Sequence, residues 1–173
     1  MINQFPNLRT KRLSLRAPQT ADGPEVLMLR SDEIVNQFVK RPKPANLVDA
    51  VKFIDKLNGQ YENDASIYWV INSTPNTKMI GSICLWNFSE DRKTAELGYD
   101  LHPDYYSQGI MTEAMNRIVE FGFDSLQLNS IEAFTQDNNV ASIKLLEKND
   151  FVLNPTKKDV DNLANLIFEL HRP

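Results

Sequence analysis

The spacing of apolar residues changes along the chain and predicts an alternation of strands and helices. Residues 13–16 alternate apolar and polar side chains, which is typical of a strand. Between Asn46 and Tyr61 the apolar residues recur at helical spacing, which predicts a helix with one apolar stripe. The same criteria predict further helices at 20–30, 109–124 and 139–148, and further strands at 66–72, 78–87, 94–101, 130–135, 151–153 and 163–171.

The order of these elements predicts the fold class. A strand is followed by two helices, three strands joined by polar turns, a helix, a strand, a helix and two strands. This order is typical of an α+β fold, with helices on both faces of a mixed, mostly antiparallel sheet of six to seven strands. The connection between the strands at 94–101 and 130–135 is long enough for a parallel crossover. A chain of 173 residues fits one domain, 1–173.

Composition argues against several functional classes. The formal net charge is -4, whereas a protein that binds bulk nucleic acid usually has a basic face. No stretch reaches the roughly 20 apolar residues of a membrane helix, and the first residues lack the pattern of a signal peptide. Cys84 is the only cysteine, so no intrachain disulfide can form, and its place in a predicted strand favours a small buried side chain. We therefore expect a cytoplasmic protein without nucleic-acid or membrane partners.

Two segments carry candidate chemistry. After the strand at 94–101, a loop turns at Gly109 into a helix, and a helix N-terminus presents unpaired N–H groups that suit a pyrophosphate. In the second segment, Asn139 is a good N-cap and Ser142 occupies the third helical position. Taken alone, the first segment could be a simple strand-to-helix connection and the second a simple helix cap, with no ligand at either.

Four blocks taken together resemble one family. Residues 5–16 are similar to its opening strand, and residues 80–83 and 96–99 to its central strands. Residues 106–114, Tyr-Ser-Gln-Gly-Ile-Met-Thr-Glu-Ala, are similar to its pyrophosphate loop, and residues 139–151, which begin Asn-Val-Ala-Ser, to its last block. In this order and spacing they resemble the GNAT superfamily of acyltransferases, and within it the RimJ/RimL-type protein N-acetyltransferases, over the whole chain.

The resemblance implies acetyl-CoA as the cosubstrate and no metal. The strand at 97–101 should separate from its neighbour and bind the pantetheine arm through its backbone. The amides of 108–112 should hold the pyrophosphate, and the Asn139 side chain should reach the pantetheine arm. The implied cofactor-binding residues are Tyr99, Leu101, Gln108, Gly109, Ile110, Met111, Thr112, Asn139 and Ser142.

Acetyl transfer from a thioester to an amine requires a base for the ammonium and benefits from an acid for the departing thiolate. Glu96 is the candidate base, because its type and position match the base proposed for the subgroup, although a solvated or ion-paired carboxylate would give the same pattern. Many members carry a thiolate-protonating tyrosine where this chain has Leu146, so that role falls to Ser142, another residue or water. Glu113, in the first turn of the helix, is expected to complement the helix dipole.

Two departures from the family pattern lie in the loop. Tyr106 stands where Arg or Gln is common, and Met111 stands where Gly or Ala is usual. Because the loop binds through its backbone, we expect cofactor binding to be retained.

These residues predict an N-acetyltransferase that transfers acetyl from acetyl-CoA to a primary amine, on a protein N-terminus or a small molecule, by direct attack in a ternary complex. A homodimer follows from the resemblance alone. The alternative is a non-catalytic acyl-CoA-binding sensor or scaffold, which is supported by Leu146 in place of the thiolate-protonating tyrosine. Transfer of a longer acyl group from its CoA thioester is a second enzymatic alternative. The resemblance implies that the region of Lys40, Arg41 and Lys43 borders the acceptor site, where these residues would favour an acidic or carboxylate-bearing acceptor, and a solvated loop would give the same sequence.

Overall fold

The computed structural model describes residues 4–173, so residues 1–3, which belong to the segment searched for a signal peptide, lie outside it. Its strands are β1 (Leu8–Arg9), β2 (Leu13–Arg16), β3 (Ile67–Ser73), β4 (Met79–Trp86), β5 (Thr94–Leu101), β6 (Ser130–Gln136), β7 (Val152–Leu153) and β8 (Asn165–His171). They form one eight-stranded sheet in the order β1-β2-β3-β4-β5-β6-β8-β7. Neighbouring strands are antiparallel except β5 and β6, which are parallel.

The sheet confirms the predicted mixed, mostly antiparallel arrangement, but it has one strand more than the upper limit of six to seven. The additional strand is β1, in which Leu8 pairs with Leu15 and Arg9 with Ser14. Leu8 is the only apolar residue between Asn7 and Lys11, so no apolar alternation marks β1, and the strand becomes visible only through its pairing with β2.

The helices within residues 4–173 are α1 (Gly23–Ser31), α2 (Glu33–Asn36), α3 (Leu47–Glu62), α4 (Ile110–Asp124) and α5 (Val140–Lys148), with 3₁₀ turns at Thr20–Asp22 and Pro103–Tyr105. Helix α2 has no counterpart among the predicted elements, because four residues are too few to show helical periodicity. It begins where the Asp32 carboxylate accepts a hydrogen bond from the backbone nitrogen of Val35 at 2.8 Å. None of these helices is long and apolar enough to cross a membrane.

Apolar cores lie on both faces of the sheet, as the α+β prediction requires. On one face Leu29 of α1 and Ile54 of α3 form a core with Val70 of β3. On the other face Ile118 of α4 belongs to a larger core with Leu97 of β5. Successive strand residues point to opposite faces, so the central strand β3 presents Val70 to α1 and α3 and Trp69 to the core that includes α4.

The close approach of β4 and β5 predicts a large effect of one methyl group at Gly81. A Cβ there would lie 2.5 Å from the carbonyl oxygen of Asp100 and 3.0 Å from Cα of Leu101. Because these are backbone atoms, β5 would have to shift, and we expect Gly81→Ala to lower the free energy of unfolding by about 1–3 kcal/mol.

The matched control is Gly59 in α3, where an added Cβ meets nothing within 4 Å. Gly59→Ala should raise the free energy of unfolding by about 0.5–1 kcal/mol, because alanine is the better helix former. Urea denaturation measures both variants. A Gly81→Ala protein as stable as the wild type would contradict the close packing of β4 on β5.

Candidate functional site

The parallel pairing of β5 with β6 is short and leaves a gap in the sheet. Register pairs join Thr94 to Ser130, Ala95 to Ile131 and Glu96 to Glu132, and the pairing ends there. Beyond this point β5 runs on to Leu101 and β6 to Gln136 without contact in register. The backbone edge of β5 that faces β6 is therefore open to an extended ligand, and the separation that the resemblance implied for residues 97–101 is present.

The two faces of β5 carry different side chains. Val70 pairs with Ser82 and Ser82 pairs with Asp100, so Asp100 and Glu96 lie on the face covered by α1 and α3. Tyr99 points to the opposite face, which α4 covers. Groups on either side of the gap can therefore act on a ligand that lies in it.

Glu96 occupies the last paired position of β5, opposite Trp86 of β4 and Glu132 of β6. Burial raises the pKa of Glu96 to about 7, although a hydrogen bond from Asn87 Nδ2 to Oε2, at 3.4 Å, opposes the rise. The negative charges of Asp159 and Glu132 raise this pKa further. A carboxyl group that titrates near neutrality is well matched to proton transfer at neutral pH.

Beside Glu96 no side chain projects from this face of β5, because the next residue on the face is Gly98. A Cβ at Gly98 would lie 3.0 Å from Sγ of Cys84 and 3.7 Å from the indole nitrogen of Trp86. The surface there consists of backbone, the Cys84 thiol and the Trp86 indole, and Trp86 is 44% exposed. An acceptor can rest on this surface next to the Glu96 carboxylate.

Asp100 fixes the segment that carries Lys40, Arg41 and Lys43. Arg41 Nη1 donates to Asp100 Oδ2 at 2.9 Å, and Arg41 Nε donates to Asn36 Oδ1 at 2.7 Å. Lys40 and Lys43 are exposed. The arginine is thus bound to protein partners, and it holds the segment against β5.

On the opposite face, the hydroxyls of Tyr99 and Ser142 are 2.7 Å apart and hydrogen-bonded. The bond joins β5 to α5, the helix that follows β6. Burial raises the pKa of Tyr99 to about 12, against a smaller opposing effect of the bond to Ser142, so the phenol stays protonated. The strand pattern predicts that Tyr99 points inward with Leu97, but no sequence signal identifies Ser142 as its partner.

Asn139 caps α5 as the sequence predicted. Its side-chain oxygen accepts a hydrogen bond from the backbone nitrogen of Ser142 at 3.2 Å. Within residues 4–173, the amide nitrogen of Asn139 makes no hydrogen bond, so it is available to a ligand. Leu146, on the same helix, is fully buried in the main apolar core.

The loop before α4 presents backbone rather than side chains. Gly109 has a φ of 71°, in the left-handed region that favours glycine, and no side chain caps the helix there. Ile110 and Met111 are buried in the core, so the bulk of Met111 points away from the loop surface. Gln108 turns its side chain back, with Nε2 donating to the carbonyl oxygen of Asp104 at 2.8 Å.

Glu113 ties the start of α4 to the turn between β1 and β2. Its Oε1 accepts hydrogen bonds from Thr10 Oγ1 at 2.5 Å and from the Arg12 backbone nitrogen at 2.9 Å, and its Oε2 accepts from Arg12 Nε at 2.7 Å. Burial alone would raise the pKa of Glu113, but the bonds from Thr10 and Arg12 outweigh it and lower the pKa. The sequence predicted only a dipole effect, because nothing in it links residues 101 positions apart.

Within residues 4–173, no group of three histidine, cysteine, aspartate or glutamate side chains is arranged to hold a metal ion. Burial raises the pKa of the Cys84 thiol to about 12. The thiol therefore stays protonated, which argues against a nucleophile. Cys84 is half-buried rather than fully buried as the sequence predicted.

Comparison with known sequences agrees with this geometry. Residues 12–152 match the family model described as the acetyltransferase (GNAT) domain. The uncharacterized N-acetyltransferase YoaA of Bacillus subtilis (strain 168) is 28% identical over 147 residues, which cover 85% of this chain and 83% of YoaA. The family match includes β5, the loop before α4 and all of α5, and it confirms the family that the sequence blocks resembled.

Solved structures show the same fold. Ribosomal-protein-S5-alanine acetyltransferase from Vibrio fischeri aligns with a TM-score of 0.82 and 18% identity over 96% of each chain. The microcin C7 self-immunity acetyltransferase MccE, in complex with acetyl-CoA and AMP, aligns with a TM-score of 0.80 and 22% identity over 94% of each chain. These similarities confirm the predicted architecture, and they include a ribosomal-protein acetyltransferase, as the RimJ/RimL-type resemblance implied.

The environment of Glu96 predicts a titration midpoint near 7 in the folded protein, against 4.5 for an ordinary glutamate. Because the folded-state pKa is the higher one, the stability contributed by protonated Glu96 is present below the unfolded-state pKa and is lost as the pH rises through about 7. Carbon-13 NMR of the glutamate carboxyls measures the midpoint, with Glu96→Gln for assignment. Asp159→Asn should lower it, because a neighbouring negative charge is removed. An ordinary midpoint in the wild type would contradict the buried environment.

Proposed function

Because the chain belongs to the GNAT acetyltransferase domain family, we propose that it transfers the acetyl group of acetyl-CoA to a primary amine by direct attack in a ternary complex. The observation that carries the proposal is the gap between β5 and β6, which has the Glu96 carboxyl on one face and the Tyr99–Ser142 hydroxyl pair on the other. An acyl donor in the gap lies within reach of a base from one side and a hydroxyl donor from the other.

In this proposal the cosubstrate is held mainly by backbone groups. The open edge of β5, including Tyr99 and Leu101, hydrogen-bonds the pantetheine arm. The amides from Gln108 to Thr112 bind the pyrophosphate, because first-turn N–H groups have no partner inside the helix. The amide nitrogen of Asn139 adds a side-chain donor, since its oxygen already caps α5.

Glu96 removes the proton from the attacking ammonium, directly or through one water. Its raised pKa of about 7 supports this role, and an α-ammonium group has a pKa of roughly 8, so the transfer is nearly balanced in free energy. Asp159 adds negative charge near Glu96, which attracts a cationic amine, whereas the charge of Glu132 is compensated by its ion pair with Lys157. The neighbouring indole of Trp86 gives the acceptor an apolar surface to rest on.

Ser142 donates a hydrogen bond to the departing sulfur, and Tyr99 positions it. Either hydroxyl can be the donor in this pair. In this proposal the protonated phenol of Tyr99 is the donor to Ser142 Oγ when the cosubstrate is bound, and the serine hydrogen then points at the sulfur. This hydroxyl pair supplies donors near the gap, whereas Leu146 is buried in the core. The absence of a tyrosine at 146 is therefore weaker support for the non-catalytic alternative than it is from the sequence alone.

The acceptor in this proposal is a primary amine on a protein N-terminus or a small molecule. The guanidinium of Arg41 is bonded to Asp100 and Asn36, which weighs against an acceptor that is recognised by a carboxylate on Arg41. A structural neighbour acts, by its name, on an alanine of a ribosomal protein, so N-terminal peptides belong in the first screen.

The proposal predicts amine-dependent CoA release that requires Glu96. With acetyl-CoA and a panel of N-terminal peptides, polyamines, aminoglycosides and amino acids, the wild type should release free CoA with at least one amine. Glu96→Gln should lower turnover by about 10²- to 10⁴-fold, because the amide cannot accept the proton. Its acetyl-CoA affinity, measured by calorimetry, should barely change, because the cosubstrate is held by other groups.

Glu62→Gln is the matched control, since Glu62 is an exposed carboxylate at the end of α3, and it should keep full turnover. The acidic limb of the pH–rate profile should change in Glu96→Gln. Ionisation of the amine gives a similar limb, so the wild-type profile is also measured with an acceptor of lower pKa. Unchanged turnover in Glu96→Gln would remove Glu96 as the base. Tight acetyl-CoA binding without CoA release for any amine would favour the sensor or scaffold.

The Tyr99–Ser142 hydroxyl pair predicts that substitutions at its two residues slow turnover to different extents. Ser142→Ala should slow turnover by about 10²-fold, the lower end for loss of an acid, and should weaken acetyl-CoA binding much less. Tyr99→Phe should slow turnover by about 10-fold, because Ser142 keeps its hydroxyl but loses a hydrogen bond that orients it. The double variant should be no slower than Ser142→Ala, since the two act as one unit. Additive losses in single-turnover kinetics would show independent roles.

A further inference from the structure

The loop proposed to bind the pyrophosphate contains no basic residue of its own. Residues 106–112 are Tyr-Ser-Gln-Gly-Ile-Met-Thr, without lysine, arginine or histidine. The proposed cosubstrate carries several phosphate charges, and backbone amides alone leave them only partly compensated. A cation from elsewhere in the chain would complete such a site.

Arg12, in the turn between β1 and β2, brings a guanidinium to this loop. Its Nη1 donates to the carbonyl oxygen of Gln108 at 3.1 Å. Its Nη2 lies 3.6 Å from the position that a Cβ on Gly109 would take. Within residues 4–173, Nη2 has no hydrogen-bond partner, and the Arg12 side chain is 49% exposed. One edge of the guanidinium is therefore free beside the left-handed glycine.

Arg12 is also fixed in place before any ligand arrives. Its backbone nitrogen donates to Glu113 Oε1 at 2.9 Å. Its carbonyl oxygen accepts from the nitrogen of Thr74 at 2.9 Å and from Thr74 Oγ1 at 2.7 Å. A side chain held by its own backbone and by the bond from Nε to Glu113 loses little conformational entropy when it binds an anion.

The charge of Arg12 also offsets the repulsion that Glu113 would exert on a bound phosphate. Glu113 lies in the first turn of α4, where its negative charge would repel a phosphate bound at the helix N-terminus. The ion pair from Arg12 Nε to Glu113 Oε2, at 2.7 Å, neutralises that carboxylate. The same guanidinium still has a free Nη2 for an incoming anion.

From this geometry we infer that Arg12 is a binding residue for the phosphate groups of acyl-CoA and supplies the cation that the loop at 106–112 lacks. The inference rests on the proposed function, since it takes acyl-CoA as the ligand of the loop. Its chemistry is recognition only, with Nη2 donating to a phosphate oxygen and no bond made or broken.

The test compares a thioester with phosphates to one without. In Arg12→Gln, acetyl-CoA affinity by calorimetry should fall by about 10- to 100-fold, the usual value of a hydrogen bond to a charged group. S-acetylpantetheine has no phosphate, so its kcat/KM should stay within about twofold of the wild type by the same reasoning. The acetyl-CoA affinity of Arg12→Lys should lie between those of the wild type and Arg12→Gln, because lysine keeps the charge but loses the planar donor geometry.

Two further variants separate direct contact from other effects. Lys11→Gln removes a charge from the adjacent exposed residue and should change acetyl-CoA affinity by less than about twofold if general attraction is unimportant. In Arg12→Gln/Glu113→Gln both charges are absent, and affinity should stay low. Recovery in that double variant, or equal losses with acetyl-CoA and S-acetylpantetheine, would overturn the inference. So would unchanged affinity in Arg12→Gln, whereas a wild type that binds no acetyl-CoA would refute the proposed function itself.

Discussion

The parallel pairing between β5 and β6 is the constraint on which the candidate site depends. It holds the two strands together for three residue pairs and ends at Glu96 and Glu132. Strands that stayed paired to Leu101 would satisfy the edge of β5 internally and leave no room for a ligand. The pairing also sets which carboxyl group stands at the mouth of the gap, because its last member on β5 is Glu96.

The alternation of side chains along β5 then assigns a different task to each face. The face toward α1 and α3 carries Glu96, the bare backbone of Gly98 and the anchoring carboxylate of Asp100. The other face carries Tyr99, whose hydroxyl reaches Ser142 on α5. Base and hydroxyl donor are thus kept apart by the strand itself, so the proton that Glu96 would accept has no direct route to the departing sulfur.

The fold could be predicted well from the sequence because its elements have strong local periodicity. The seven longer or clearly bounded strands and the main helices follow from apolar spacing, and the cap at Asn139 follows from residue type. Helix α2 has too few residues to show a period, and β1 has a single apolar residue, Leu8, among polar neighbours. The contacts of Tyr99 with Ser142 and of Arg12 with Gln108 join residues 43 and 96 positions apart, and a single sequence holds no pattern that links them.

The acidic net charge of -4 is compatible with an anionic cosubstrate because charge is arranged locally. Beside the acceptor surface the negative charge of Asp159 lies near Glu96, while Glu132 is ion-paired with Lys157. At the start of α4 the carboxylate of Glu113 is already paired with Arg12 and accepts three hydrogen bonds. The screening length in physiological salt is about 8 Å, so a phosphate would respond to the backbone amides and the guanidinium within a few ångströms rather than to the total charge. A cationic amine and an anionic thioester can therefore be attracted to opposite sides of the same strand.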